Sequence, residues 1–183
     1  MFVRTPRLTL RPGWIEDAPA LYEAIADERI VAMLARAPWP YTPEDAAAFL
    51  SRTCPPGEPE FLIFAHEGAS PRLVGGIGVG RDGSGARELG YWLRPDAWGR
   101  GYMSEAGRAV LDTLRDSLRI DRLVSGHFAD NRASARVLHK LGFRPTGQTV
   151  PRHSRARDAH VACVLHLWSP AAEDQATPPR FAA

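Results

Sequence analysis

The sequence predicts an α+β fold, and three observations indicate it. About seven short apolar segments, rich in branched and aromatic residues, are bounded by Gly and Pro turn signals, as strands are. About four other segments carry helical periodicity or helix caps. Several of the strand-like segments follow one another directly, which favours antiparallel neighbours joined by short turns. At 183 residues the chain is long enough for one well-buried domain, which we expect to span residues 1–168.

The first elements of the chain are a strand and two helices. We predict the strand at Leu8–Leu10, one helix from Pro19 to Ala26 and another from Pro43 to about Arg52. Pro12 ends the strand because its nitrogen carries no hydrogen to donate. Thr42 begins the second helix as its N-cap, and Asp45 stands where a capping box carries its acidic or amide partner.

The middle of the chain predicts a run of strands. They lie at Phe61–His66, Leu73–Val79 and Glu88–Leu93, with turns around Gly68–Pro71 and Gly80–Gly85. Connections this short join antiparallel strands, whereas parallel strands need a long crossover. We therefore expect these strands to be antiparallel neighbours in one sheet.

The second half of the chain predicts two helices and further strands. The first helix runs to Leu118, and its apolar face consists of Met103, Ala106, Val110, Leu111, Leu114 and Leu118. The other elements are a strand at Arg122–His127, a helix from Asn131 to Leu141 ended by Gly142, and strands at Phe143–Val150 and His160–Trp168. Residues 169–183 show no periodicity, and we expect them to form a mobile tail.

Composition excludes several classes of protein. No apolar run approaches the roughly 20 residues of a membrane helix, and the segment Met1–Arg11 lacks the apolar core of a secretory signal, so we expect no membrane association and a cytoplasmic location. A net charge of +2 is too small to indicate a nucleic-acid partner. Cys54 and Cys163 have no neighbours with metal-ligand spacing, so we expect free thiols and no metal site.

One local cluster of basic residues has two interpretations. It consists of Arg152, His153, Arg155 and Arg157. Such a cluster is most often a solvated loop. The alternative is a set of counter-charges for an acidic substrate or for a cofactor phosphate.

A glycine-spaced segment between a predicted strand and a predicted helix is typical of an anion site. It consists of Trp98, Gly99, Arg100, Gly101, Tyr102, Met103 and Ser104, and is called here the glycine turn. Its glycines let backbone N–H groups crowd around an anion, and the helix N-terminus adds about half a positive charge. The turn is therefore a candidate cradle for a pyrophosphate, although a tight connection alone would also explain its glycines.

Three segments together resemble the GNAT acyltransferases, especially the branch that acetylates the N-termini of ribosomal proteins. They are Glu88–Leu93, the glycine turn continued to Ala106, and Asn131–Ser134 with Lys140–Phe143. The resemblance extends from about Thr5 to Trp168. It implies a central, mostly antiparallel sheet whose fourth and fifth strands, Glu88–Leu93 and Arg122–His127, splay apart to admit acetyl-CoA.

The resemblance also implies the residues that contact the cofactor. The pyrophosphate would bind to backbone N–H groups of the glycine turn, with the Ser104 hydroxyl as a further donor. A backbone N–H of Tyr91, Trp92 or Leu93 would polarise the thioester carbonyl. Asn131 and Ser134 would contact the pantetheine end, and Asn131 is compatible at the same time with a purely structural role as a helix N-cap.

Glu88 is the candidate catalytic residue. An amine attacks a thioester only when neutral, although an α-amine titrates near ~8 and an alkyl amine near ~10. Glu88 begins the strand beside the implied acetyl site and would take that proton directly or through water; the alternative is an exposed carboxylate at a strand end. Relatives often carry a tyrosine acid where this chain has Leu138, so no general acid is assigned and water would protonate the thiolate.

The sequence thus predicts an N-acetyltransferase that moves acetyl from acetyl-CoA directly to a primary amine in a ternary complex. Trp39 and Tyr41 lie in the loop that borders the acceptor site in the resembling branch, although aromatic residues there could equally be packing groups. The acceptor stays open between a protein N-terminus, an amino acid, a polyamine and an antibiotic amine. A non-catalytic acyl-CoA-binding or sensing domain is the alternative function, and a homodimer is compatible with the pattern.

Overall fold

The computed structural model describes residues 1–68 and 70–170, and its strands form one open sheet. In the described residues there are eight strands: β1 (Val3–Arg4), β2 (Leu8–Arg11), β3 (Glu60–Ala65), β4 (Arg72–Arg81), β5 (Arg87–Leu93), β6 (Leu123–Phe128), β7 (Arg144–Ser154) and β8 (Ala159–Trp168). Their order across the sheet is β1-β2-β3-β4-β5-β6-β8-β7.

The helices follow the predicted order with one addition. Across residues 1–68 and 70–170 the five α-helices are α1 (Ala18–Ile25), α2 (Glu28–Val31), α3 (Pro43–Leu50), α4 (Tyr102–Leu118) and α5 (Arg132–Lys140). Short 3₁₀ turns at Ile15–Asp17 and Pro95–Ala97 precede α1 and α4. The predicted α+β class is confirmed.

Two short elements were missed by the sequence analysis. Strand β1 has 2 residues and helix α2 has 4, which is too few for a hydrophobic period to show. The strands predicted as fourth and fifth are therefore β5 and β6. The predicted turn at Gly68–Pro71 contains Ala69, which lies outside the described residues, as does the predicted tail from residue 171 onward.

The sheet is antiparallel except where β5 meets β6. That pair is parallel and has a single register match, Glu88 with Val124. β4 pairs with β5 over seven matched positions, from Gly75–Leu93 to Arg81–Arg87, so beyond Glu88 the strand pairing of β5 is with β4 alone. The predicted splay between the two strands is thereby confirmed, and it opens a gap in the middle of the sheet.

The two faces of the sheet carry separate hydrophobic clusters. One face packs on α4 and α5, and there the predicted apolar face of α4 is buried, with Ala106, Val110 and Leu114 each 0% exposed. The other face packs on α1, α2 and α3 through residues such as Leu21, Val31 and Leu62. Within the described ranges no helix has the length and apolar character needed to span a bilayer.

Helix termini near the gap are formed as predicted. Thr42 and Asp45 form the capping box of α3, with Thr42 N–H donating to Asp45 Oδ2 at 2.9 Å. Asn131 caps α5, since its Oδ1 accepts from Ser134 N–H at 3.0 Å. At the other end Gly142 has φ +83, and Phe143 N–H donates to Leu138 O at 3.0 Å. This Schellman-type end fixes the length of α5 and hence its position beside the gap.

Candidate active site

A cavity of about 1050 Å³ passes through the gap between β5 and β6. Strand β5 runs along it from Glu88 to Leu93, which is roughly 17 Å at the usual rise of an extended strand. Glu88 lies at one end, and Trp98 and Met103 of the glycine turn line the other. The two ends of the cavity are therefore chemically different.

The face of the sheet beneath the cavity is rich in glycine. Its lining includes Gly76, Gly78, Gly80, Gly90 and Gly126. The register pairs Gly76 with Trp92, Gly78 with Gly90 and Gly80 with Glu88, so these positions share a face. A Cβ built at Gly90 meets nothing within 4 Å. The alternation of Gly76, Gly78 and Gly80 along β4 was visible in the sequence, but no prediction of a cavity face was made from it.

The backbone of β5 presents free donors to the gap. Arg94 N–H donates to Val74 O at 2.9 Å, so even-numbered residues of β5 bond to β4. On the opposite edge of β5, Leu89 O accepts from Ser125 Oγ at 2.8 Å. The backbone N–H and C=O groups of the odd-numbered residues therefore point toward the gap. The N–H groups of Tyr91 and Leu93 therefore face the gap. The N–H of Trp92 is directed to β4, so Tyr91 and Leu93 are the two of the three candidate donors that point into the gap.

The glycine turn has the backbone expected of an anion cradle. Gly99 has φ +74 and Gly101 has φ +80, a region that other residues adopt only with strain. Helix α4 begins immediately after Gly101. The indole Nε1 of Trp98 donates to Leu93 O at 2.8 Å and ties the turn to the end of β5. The N–H groups that open α4 thus lie at one end of the cavity.

The side chains of the glycine turn contribute less than its backbone. Tyr102 is 0% exposed and Met103 is 4% exposed, since both pack in the core. Ser104 is buried as well. The Arg100 guanidinium forms an ion pair with Glu67 at 2.7 Å. Anion binding by this segment would therefore rest on backbone donors, as the residue pattern predicted.

A hydrogen bond joins β5 to α5 across the gap. The hydroxyl of Tyr91 lies 2.8 Å from Ser134 Oγ, and it also donates to Ser134 O at 3.2 Å. Burial raises the pKa of Tyr91, so the phenol stays protonated. Asn131 and Ser134 both line the cavity, which brings these predicted residues to the same wall as Tyr91.

Glu88 lies at the point where β5 and β6 separate. Its carboxylate is 12% exposed and lines the cavity. Nη1 of Arg152 donates to Glu88 Oε1, and Nη2 of Arg36 lies 3.8 Å from Oε2. The sequence analysis did not foresee either partner, because both arginines are distant in sequence from β5. Glu88 is thus a fixed carboxylate held in the cavity rather than a solvated strand end.

The arginines of the predicted basic cluster make different contacts. Arg152 pairs with Glu88, and Arg155 lines the cavity. Arg157 donates to Asp130 Oδ2 at 2.8 Å and to Ala32 O at 2.7 Å, which fastens the β7–β8 turn to the segment after α2.

Of the two residues predicted to border the acceptor site, one lines the cavity. Tyr41 is 7% exposed and lines the cavity, and burial raises its pKa to about 12. Trp39 is 42% exposed and is not among the lining residues. The two side chains are two residues apart, but the loop is irregular there, so spacing could not place both on one side.

Other predicted features also have definite positions. Leu138, where relatives often have tyrosine, is 0% exposed and packs in the core on the α4 side of the sheet. Cys163 is buried and lines the cavity, and burial raises the pKa of its thiol. Among residues 1–68 and 70–170 no cluster of three or more His, Cys, Asp or Glu side chains could hold a metal ion.

Comparison with known proteins places this site in a family. Residues 7–144 match the acetyltransferase (GNAT) domain. The uncharacterized N-acetyltransferase YnaD of Bacillus subtilis is 25% identical over 169 residues, which cover 90% of this chain and 97% of YnaD.

Two solved structures share the fold. A GNAT-family acetyltransferase from Bacillus anthracis has a TM-score of 0.77 and 23% identity, with 92% of this chain and 98% of that protein covered. RimL, the ribosomal L7/L12 alpha-N-protein acetyltransferase, was solved with coenzyme A and has a TM-score of 0.73 and 19% identity, with coverage of 92% and 98%. The family match spans most of the sheet and the whole glycine turn, so the chain belongs to the GNAT acetyltransferases and is an acetyl-CoA-dependent acyltransferase.

Proposed function

We propose that this enzyme transfers acetyl from acetyl-CoA directly to a primary amine, with Glu88 as the general base. The observation that carries the proposal is the position of the Glu88 carboxylate, which is held by Arg152 where β5 and β6 separate. A carboxylate at that point can reach an amine that enters the cavity from the side opposite the glycine turn. The chemistry supplied by acetyl-CoA is an activated thioester.

The residues of this chain fit that co-substrate. Backbone N–H groups of Gly99 to Met103 would bind the pyrophosphate, since the positive φ values of the two glycines crowd those donors together. The free edge of β5 would run beside the pantetheine arm. Asn131 and Ser134 would line the same arm from α5.

The reaction needs a proton to leave the amine and another to reach the thiol. Glu88 would accept the ammonium proton directly or through water, which leaves a neutral nitrogen to attack the thioester carbonyl. The N–H of Tyr91 or Leu93 would stabilise the developing oxyanion, because both face the gap. After the attack the nitrogen would still carry one proton more than the amide needs, and solvent water would take it. As the carbon–sulfur bond breaks, water would give a proton to the leaving thiolate, since a free thiol titrates near ~8.5.

A direct transfer fits the cysteines better than a covalent enzyme intermediate. Cys163 is the thiol that lines the cavity, and burial raises its pKa, so it is a poor nucleophile. Cys54 is exposed and is not a lining residue of this cavity. The kinetic consequence is a ternary complex rather than ping-pong kinetics.

The test is a panel of amines with detection of released thiol. Protein N-terminal peptides, amino acids, polyamines and aminoglycoside amines are offered with acetyl-CoA. Release of coenzyme A with any of them, together with intersecting double-reciprocal plots, supports the proposal. Tight acetyl-CoA binding without thiol release from any amine would instead favour a non-catalytic acyl-CoA-binding domain. A homodimer stays a prediction.

A further inference from the structure

Two arginines at the Glu88 end of the cavity lack a carboxylate within hydrogen-bond distance among the described residues. Arg36 Nη2 donates to Arg81 O at 2.8 Å, and Arg155 Nη1 donates to Arg36 O at 3.3 Å. Both residues line the cavity. Arg36 thus makes its hydrogen bond to a neutral carbonyl and has only a long ion pair with Glu88, and Arg155 is hydrogen-bonded to a neutral carbonyl.

The neighbouring arginines are already neutralised. Arg152 is paired with Glu88, and Arg157 is paired with Asp130. Arg36 approaches Glu88 Oε2 only to 3.8 Å, which is beyond a hydrogen bond. Glu60 also lines the cavity and is paired with Arg52 at 3.0 Å. Around Glu88, the guanidinium groups of Arg36, Arg152 and Arg155 therefore outnumber the carboxylate.

The segments that carry the two arginines are held together by the fold. Arg155 N–H donates to Ala35 O at 3.1 Å, and Arg157 Nε donates to Ala32 O at 2.7 Å. These bonds fasten the turn between β7 and β8 to the segment after α2.

Arg36 and Arg155 lie far from the glycine turn, where the phosphates of the co-substrate would bind. Arg36 is beside Glu88, whereas the glycine turn lies beyond the other end of β5, roughly 17 Å away along the strand. An anion at Arg36 would therefore lie next to the general base and the amine. The guanidinium fork matches the geometry of a carboxylate or a phosphate.

We propose that the acceptor carries an anionic group, a carboxylate or a phosphate, within a few bonds of its amine, and that Arg36 and Arg155 bind this group. The inference rests on the proposed function, since it names the class of amine. The anion would hold the acceptor so that its nitrogen faces Glu88. Polyamines, which are cations, are excluded by the same two charges.

The test compares matched acceptors that differ in the anion alone. The pairs are alanine with alaninamide, an Asp-initiated with an Asn-initiated peptide amide, and phosphoethanolamine with ethanolamine, so the arms separate an α-carboxylate, a side-chain carboxylate and a phosphate. In at least one pair the anionic member should have a kcat/KM about tenfold or more above its partner, as expected of charge-assisted hydrogen bonds.

Variants assign the preference to the two arginines. In Arg36→Gln and Arg155→Gln the ratio between the members of the preferred pair should fall toward one, through KM for the acceptor, while Arg36→Lys should retain part of it. Arg108→Gln removes a charge from the exposed face of α4 and should keep the wild-type ratio. Equal kcat/KM within all three pairs overturns the inference even when amines are acetylated.

Two further outcomes separate this inference from its alternatives. Variants that raise KM for acetyl-CoA and leave the acceptor ratio intact would assign the arginines to the co-substrate phosphates, and the inference would fall. If no amine releases thiol, the proposed function fails, and calorimetry of the same pairs with the protein saturated by coenzyme A still tests the anion site. Tighter binding of an anionic member supports the site, and equal binding overturns it.

Discussion

The Tyr91 hydroxyl lies 2.8 Å from Ser134 Oγ, and this contact joins the two walls of the cavity where β5 and β6 no longer pair. Strand β5 carries Tyr91, and helix α5 carries Ser134 in its first turn. Backbone pairing holds β5 to β4 along its length, whereas β5 pairs with β6 only at Glu88. The side-chain contact therefore replaces part of the strand pairing that the gap removes.

Tyr91→Phe should lower the free energy of unfolding by about 1 kcal/mol, because it removes one buried hydrogen bond and leaves the ring in place. Urea denaturation measures the change. Tyr22→Phe is the matched control, since Tyr22 lies on α1, is 37% exposed and is not a lining residue of the cavity. Equal stability of the two variants would mean that the cross-gap contact contributes nothing.

Glu88→Gln should lower kcat about 100-fold or more near neutral pH, because an amide cannot accept the ammonium proton. The affinity for acetyl-CoA should be nearly unchanged, since Glu88 lies at the other end of β5 from the glycine turn. Glu58→Gln is a close control: Glu58 is 13% exposed, is paired with Arg81 at 2.8 Å and is outside the cavity lining. A wild-type pH–rate profile in Glu88→Gln would remove Glu88 as the base.

Gly101→Val should weaken acetyl-CoA binding about tenfold or more, because a branched residue resists φ +80 and displaces the backbone donors of the glycine turn. Calorimetry measures the affinity. Gly85→Val introduces similar strain at φ +84 in the hairpin between β4 and β5. Both variants should lose about 1–3 kcal/mol of stability. Only the first should lose affinity, and equal affinities in both would argue against the cradle.

Gly90→Val should reduce acceptor turnover without loss of stability. The new side chain has no protein neighbour within 4 Å of its Cβ, so it projects into the cavity. Valine is also a better strand residue than glycine, so the thermal midpoint should hold or rise. Gly83→Val, in an equally open position of the hairpin turn, should leave both quantities unchanged. Normal turnover in Gly90→Val would show that the acceptor does not pass over Gly90.

Stability should fall in mildly acidic solution because of His166. Burial lowers its pKa below the usual 6.5, and the His127 ring, 5.2 Å away, adds repulsion once both are charged. The unfolded chain therefore binds the proton more readily, so the free energy of unfolding decreases as pH drops below about 6.5. His166→Gln should flatten this slope in urea titrations between about pH 7.5 and about pH 5.5. The exposed His139→Gln should keep it, and identical slopes in all proteins would exclude His166.

Local signals predicted much of the fold. The capping box at Thr42 and Asp45, the N-cap at Asn131 and the glycine turn were all readable, because each depends on residues close together in the chain. The splay of β5 from β6 followed from the family resemblance. Strand β1 and helix α2 were not predicted, because the structure of such short elements depends on contacts with neighbours that are distant in sequence.

The candidate site was predicted less completely, because its electrostatics are built from distant segments. Arg36 comes from the segment after α2 and Arg152 from β7. The sequence around either arginine does not indicate that it would contact Glu88. Residue spacing could not show that Trp39 is excluded from the cavity while Tyr41 lines it. Strand register decides which N–H groups of β5 are free, and register is a property of the whole sheet.

Because one face of the sheet is lined by glycines, residues that contact the acceptor can be substituted there without disturbing the packed core. The core residues of β4 and β5 pack against α4 on the opposite face. On the cavity face Leu62 and Trp92 pack against α1–α3, so the glycines there bear little of the packing. Gly76 and Gly78 are closely approached by Trp92 and Glu60, but Gly90 is open and a Cβ at Gly80 would meet only Arg36, at 3.6 Å. Single substitutions at Gly80 and Gly90 are thus the natural route by which selection, or an engineer, could retune acceptor charge and acceptor size on an unchanged scaffold.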